Sequence, residues 1–449
     1  MAGIGFELRK ILTEDTFYSY LKSFFSAFVF ISGPWVISMI NLSLLYFVAG
    51  GESLVSFIII TYILAISLIL SSPIQSILIR FCSDMEFEER FDIIFPSIIG
   101  AVIVCGIISI LPAILIYIYS PSFSQEIRIL ISSFCVVNLI FWPLFSTMSI
   151  LKNYKKVTLY FFSITFLSFI MIYIFYPILG FQSIILFYNI SYTAVSIMLI
   201  IMIYQRYPSK NLISFEFLKY AKKIWLGLAG FFYYIALWAD KIVFWFFAKE
   251  SISVGDFFYY NPIYDINYFV STLFLLPILA IITISIETDI AEKFHKFTKS
   301  LLLKKSINEI IKAKENTILS IKDGYGMIII YHGLLTFVLI FYSKYLFRFL
   351  EYSHIFKILT IGNLSLAIYI YQTLLLYYLD SHKNIAKNTF IFFVLNSVIS
   401  YYSLSSVRFY GIGFTISISM VNILMYYDID YGVRNLDYLM FLREREKKK

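Results

Sequence analysis

Long apolar runs recur along this chain with a regularity that leaves few folds open. Twelve stretches carry mostly Ile, Leu, Phe, Tyr and Val with few charges: about 24–48, 54–79, 94–119, 128–151, 157–180, 182–204, 224–248, 265–289, 326–349, 355–378, 388–408 and 410–427. A helix rises about 1.5 Å per residue, so about 20 such residues cross a hydrocarbon core about 30 Å thick. Inside lipid every backbone N–H and C=O must find a partner within the chain, and a helix satisfies them segment by segment. The fifth and sixth runs, and the last two, abut so closely that their division is approximate. Composition agrees: 60% of the 449 residues are hydrophobic and 14% charged, with a mean hydropathy of +0.81. Soluble domains average about 25% charged residues. The predicted fold is an all-α integral membrane protein with about twelve transmembrane helices.

The net charge of +8 reads as a topology signal, because of where the charges fall. With the N-terminus inside, only Arg128, Lys249, Lys344, Arg348, Lys357 and Arg408 lie on outer segments, and Lys241 lies within a span. The other 29 of the 36 lysines and arginines fall on inner segments. Shifting the frame by one helix destroys this asymmetry, so the expected orientation is N-in and C-in. Met1–Lys22 reads as a cytoplasmic amphipathic lead-in, with Phe6, Ile11, Phe17 and Leu21 at the interface, and not as a removable signal peptide. Cys82, Cys105 and Cys135 sit in or beside apolar spans, with neither metal-ligand spacing nor a disulfide framework.

Charge inside a span is the sharpest local feature. The run Trp238-Ala239-Asp240-Lys241 interrupts the otherwise apolar Ile224–Ala248, and each charge costs about 2.5–3.5 kcal/mol on insertion scales. Adjacent residues differ by about 100° around a helix, so one cannot simply shield the other. Two readings follow: a structural ion pair reaching a neighbouring helix, or the wall of a transport path. Asp265, Tyr264 and Tyr268 fall toward the same outer half, where Asp240 and Asp265 could share a cavity and the rings of Trp238, Tyr259, Tyr260, Tyr264 and Tyr268 could stack on sugars; Asp240, Lys241, Trp238, Asp265, Tyr264 and Tyr268 are the candidates for a substrate path. The rings could equally belong to the interfacial aromatic belt. Further polar positions at membrane depth include Asn138, Asn363, Asn396, Glu287 and Asp289. A helix break is expected at Gly33 and Pro34, and single prolines fall within the fourth (Pro143) and eighth (Pro277) spans.

The longest extramembrane segment is Ile290–Gly326, amphipathic at helical spacing through Phe294, Phe297, Leu301, Ile307, Ile310, Ile311 and Ile318. Fully helical, it would extend about 55 Å. It reads as an interfacial helix on anionic lipid or as a docking arm for a cytosolic partner. The predicted layout is a lead-in (1–22), a first six-helix bundle (23–204), a cytoplasmic linker (205–223), a second bundle (224–427) with a cytoplasmic insertion (290–325), and a basic tail (428–449).

No Gly-rich phosphate loop, HExxH motif or Cys/His quartet occurs, and no outer loop is large enough for an intramembrane polymerase. The expectation is a non-enzyme without cofactor or metal, driven by an ion gradient or by a partner that pushes the substrate.

The opening Met1-Ala2-Gly3-Ile4-Gly5-Phe6-Glu7-Leu8-Arg9-Lys10-Ile11-Leu12 resembles the start of the PelG family, inner-membrane exporters of the Pel biofilm polysaccharide. Ser32-Gly33-Pro34-Trp35, and Trp238–Lys241 with Phe244-Trp245, fall where that family carries similar runs. The resemblance implies the polysaccharide-transporter branch of the MATE/flippase superfamily, with two six-helix bundles around a central cavity. It implies an N-acetylgalactosamine-rich, partly deacetylated substrate delivered by a cytosolic Pel glycosyltransferase (PelF). It also implies a cyclic-di-GMP receptor (PelD) and a scaffold protein (PelE) as partners. The resemblance carries over no set of site residues. Two other functions fit the same residues: an ion-gradient-driven flippase of lipid-linked oligosaccharides, and a membrane scaffold that holds a polysaccharide synthase through Ile290–Gly326.

Overall fold

The computed structural model describes residues 16–148, 154–347 and 350–438. Phe6 and Ile11 of the expected lead-in, and Arg443–Lys449 of the basic tail, lie outside the described residues. Among the described residues fourteen α-helices follow in order: α1 Phe17–Ala49, α2 Glu52–Phe87, α3 Ile94–Tyr119, α4 Gln125–Ser146, α5 Tyr154–Leu179, α6 Phe181–Arg206, α7 Ile224–Phe247, α8 Pro262–Leu273, α9 Leu276–Ile284, α10 Ala291–Leu302, α11 Ile307–Leu346, α12 Ser353–Tyr378, α13 His382–Ser403 and α14 Ile412–Arg434. Within the described residues the twelve apolar runs fall largely on these helices. Among the described residues nine helices are long and apolar enough to span a membrane, and α8 with α9–α10 makes a bent tenth. The other two runs, 24–48 and 388–408, fall largely on α1 and α13. α13 is 22 residues long but falls short in hydropathy, because Asn384, Asn388, Asn396 and two lysines share it.

The eighth run is the interrupted one. Pro277 has no N–H to offer the carbonyl four residues back, and α8 ends at that residue, Leu273. The two parts meet at 41°. The expected break at Gly33–Pro34 does not occur: α1 continues across both residues. A single missing donor does not end a helix whose other carbonyls have no water to turn to. Beyond α9 the chain widens into a π turn, Ser285–Ile290, carrying Glu287 and Asp289.

The chain folds into two compact units. Among the described residues the first contains Val29–Trp238 and Phe244–Pro262; the second contains residues 16–28, Ala239–Val243 and the chain from Ile263 onward. In the first, side-chain hydrogen bonds cross between helices: Trp142 Nε1 donates to Ser67 Oγ (2.9 Å) and Asn189 Nδ2 to the Leu130 carbonyl (2.8 Å). Residues 205–223 return onto α3, where the Ser214 N–H donates to the Pro96 carbonyl at 2.9 Å. Gly100 leaves the room that the Ser214 carbonyl occupies. The outer segment after α7 is a small hairpin, β1 Ile252–Val254 antiparallel to β2 Phe258–Tyr260.

In the second unit, a polar seam joins α12 to α14. Gln372 Nε2 donates to the Asn422 carbonyl (3.1 Å), Asn422 Nδ2 to the Ser365 carbonyl (2.8 Å) and Thr415 Oγ1 to the Ile358 carbonyl (2.9 Å). Without a hydrophobic drive between helices in lipid, such bonds and close small-residue packing hold them together. The amphipathic segment 290–326 is not one 55 Å helix. α10 ends at Leu302, Lys304 takes a left-handed φ of 49°, and the Lys305 N–H returns to the Ser300 carbonyl. α11 then starts anew on a capping box between Ser306 and Glu309.

Past α14, Lys314 on α11 donates to the Arg434 carbonyl and pairs with Asp437 at 2.8 Å. The hydrogen bond from this ammonium holds the Asp437 carboxyl below its usual range. A depressed carboxyl contributes to docking above its unfolded pKa, and the contribution is lost as pH falls through the lower, folded value. Hydrogen exchange at Asn435–Tyr438 is therefore expected to rise in Lys314→Ala at neutral pH. In the unaltered chain it should rise only below the normal carboxylate range.

Candidate functional site

The sequence places two opposite charges side by side on α7, and the second unit supplies what each needs. Tyr264 and Tyr268 are four residues apart on α8, so they share a face. The Tyr264 hydroxyl donates to Asp240 Oδ2. The Tyr268 ring lies under the Lys241 ammonium, 3.3 Å from Nζ to the ring centroid. From α13, Asn396 Nδ2 donates to Asp240 Oδ1 at 3.4 Å, and Ser400 Oγ donates to Asn396 Oδ1 at 3.2 Å. Lys241 Nζ stands 4.0 Å from Asp240 Oδ1. Each carboxylate oxygen thus has a neutral donor, and the ammonium has both a counter-charge and a π face.

Asp240 is fully buried and the Lys241 side chain is 10% exposed. Tyr264, Asn396 and Ser400 are buried around them. A polar ligand would therefore meet the ammonium before the carboxylate. The pair is enclosed within the second unit, with Lys241 at its edge.

Of the six residues picked for the substrate path, four come together: Asp240, Lys241, Tyr264 and Tyr268. Asp265 sits half-buried beside Tyr264 on α8 and is not among the partners of Asp240. Trp238 belongs to the first unit, with its ring 5.9 Å from that of Trp245. Trp245 in turn stacks on Tyr62 at 4.3 Å. Asn396 stood among the polar positions at membrane depth without being tied to Asp240. Ser400 was missed, although a polar residue four after Asn396 on one helix is a readable signal. Gly413 was missed as well: a Cβ there would lie 2.5 Å from the Ser400 nitrogen and 2.6 Å from its Cα, so α14 can approach Ser400 only with glycine at this position.

The membrane-spanning helices and the two compact units they form are those of a membrane-transporter fold, and solved structures share it. The Vibrio cholerae MATE transporter VcmN aligns with a TM-score of 0.65 at 11% identity, covering 96% of this chain and 98% of that one. The eukaryotic MATE transporter AtDTX14 aligns at 0.63 and 8% identity, again 96% and 98%. A MOP-superfamily transporter from Pyrococcus furiosus aligns at 0.59 and 13% identity, covering 92% and 96%. The model of the PelG family, described as "Putative exopolysaccharide Exporter (EPS-E)", matches residues 1–441. The chain belongs to the PelG family. Among curated proteins, none matches this sequence.

Proposed function

We propose that this protein translocates a Pel-like, N-acetylgalactosamine-rich exopolysaccharide across the cytoplasmic membrane as a cytosolic glycosyltransferase makes it. The match of an exopolysaccharide-exporter family to residues 1–441 carries the reading. The chain lies N-in and C-in, as the charge asymmetry requires. The Asp240–Lys241 pair holds α7 in place and offers its ammonium edge to the path. The transferase, a cyclic-di-GMP receptor and a scaffold protein are its partners.

The elbow between α10 and α11 is the surface that suits a soluble partner. Leu302, Leu303 and Ile307 are 65%, 59% and 75% exposed, beside exposed Lys304 and Lys305. Residues 307–325, which precede the apolar half of α11, rise about 28 Å at 1.5 Å per residue. That reach carries the elbow toward the cytosol and disfavours a helix lying flat on lipid.

Purification of the tagged protein in mild detergent tests both statements. The transferase and the cyclic-di-GMP receptor should copurify in stoichiometric amounts, and Leu303→Asp with Lys304→Glu should lose the transferase while the chain stays inserted. Recovery of the unaltered protein alone, carrying a polyprenyl-linked sugar, would replace this reading with the lipid-linked flippase.

A further inference from the structure

A hollow of about 410 Å³ opens in the first unit among the ends of α3 and α7 and the turn between β1 and β2. Rings line it: Tyr119 from α3, Phe246 from α7, and Phe257 and Tyr259 from the hairpin. Phe246 and Tyr259 are in contact, with centroids 5.2 Å apart. A carboxylate, Asp256, lines the same hollow.

The turn holds that carboxylate in place. Val254 pairs with Phe258, so Gly255, Asp256 and Phe257 close the hairpin. Gly255 and Asp256 both adopt left-handed φ, 60° and 66°, a conformation that glycine takes freely and aspartate tolerates. A side chain at Gly255 would collide with the Phe123 ring, which stacks on Phe181 at 6.1 Å. Ser122 Oγ donates to Asp256 Oδ2 and ties the turn to the segment between α3 and α4. Among the described residues nothing engages the other carboxylate oxygen.

We propose that this hollow is a saccharide-binding subsite that takes a neutral or cationic sugar unit and excludes anionic ones. The chemistry follows from the lining. Aromatic faces pack against the C–H faces of pyranose rings, and a few fixed polar groups set orientation, as in small-ligand sites generally. The open oxygen of Asp256 accepts from a hydroxyl or, more strongly, from an ammonium. A uronate or phosphate would meet like charge. Interfacial aromatic residues that only face lipid gain nothing from a carboxylate fixed beside them. In the N-in orientation the hollow lies at the outer face, where an exported chain emerges. The identity of the saccharide with the exported polymer rests on the function proposed above.

The test uses purified protein in lipid nanodiscs, with an N-acetylgalactosamine tetrasaccharide and a galacturonate tetrasaccharide as calorimetric probes. The first should bind and the second should not. Tyr259→Ala and Phe257→Ala should each weaken binding about tenfold, the equivalent of about 1.4 kcal/mol. Asp256→Asn should admit the galacturonate probe. Absence of binding, binding indifferent to both ring removals, or galacturonate still excluded by Asp256→Asn would each overturn the subsite. Cells that export polymer normally while the protein binds neither probe would sink the subsite and leave the export function standing. Probe binding that responds to these substitutions, in a protein whose loss leaves secretion intact, would do the reverse.

Discussion

Asp240→Leu is expected to destabilise the protein by about 3–5 kcal/mol, the cost of removing one partner from a buried ion pair. Lys241 would keep its ammonium at membrane depth, over the Tyr268 face and without its counter-charge, on a side chain just 10% exposed. The Tyr264 hydroxyl and the Asn396 amide would also lose the acceptor they now share, and a stranded buried donor costs about 1–3 kcal/mol. The paired change Asp240→Asn with Lys241→Met removes both charges and keeps the side-chain volumes, so most of the stability should return. Thermal unfolding in detergent and recovery from the membrane read this directly. A double variant no more stable than Asp240→Leu would mean that the two charges do not compensate each other. Polymer secretion separates fold from transport. It is expected to stay low in the well-inserted double variant, because the ammonium edge is gone; normal secretion would take the pair out of the path.

Gly413→Ala should cost about 1–3 kcal/mol, the usual range for overpacking a tight contact. The obstacle is main chain: the new methyl would press on the nitrogen and Cα of Ser400, 2.5 Å and 2.6 Å away. A side-chain end could swing aside, but a helix backbone cannot, so α13 and α14 must separate. Ser400 orients Asn396, and Asn396 holds Asp240, so the same methyl should loosen the ion pair and lower secretion together with stability. Gly326→Ala on α11 is the control. Nothing lies within 4 Å of the Cβ it would add, and alanine is the better helix former by about 1 kcal/mol. Equal loss of stability in both variants would mean that glycine at 413 is not required by contact.

Much of this architecture is a property of single segments. The apolar runs become helices because each is long enough to satisfy its own backbone in lipid, whatever its neighbours do. The capping box at Ser306 and Glu309 and the Gly255–Asp256 turn were equally local and could have been read from the chain; they divide segments that length alone had joined or left as loop. Proline was harder. Pro34, Pro143 and Pro277 look alike in sequence, yet α1 and α4 run through theirs while α8 stops four residues before Pro277. Which proline ends a helix depends on whether packing around it can satisfy the freed carbonyl.

The sequence by itself determined a multi-pass helical membrane protein, the places where its spans lie, and the presence of one acid–base pair that lipid would not tolerate alone. Only the tertiary structure decided what answers those charges. Asn396 is 156 residues from Asp240, Ser400 is a residue type found at many positions, and Gly413 matters only because another backbone passes beside it. Hydrophobicity and helical period act within a segment and so are written along the chain. A hydrogen bond to a buried carboxylate is a meeting of segments, set by how the helices pack.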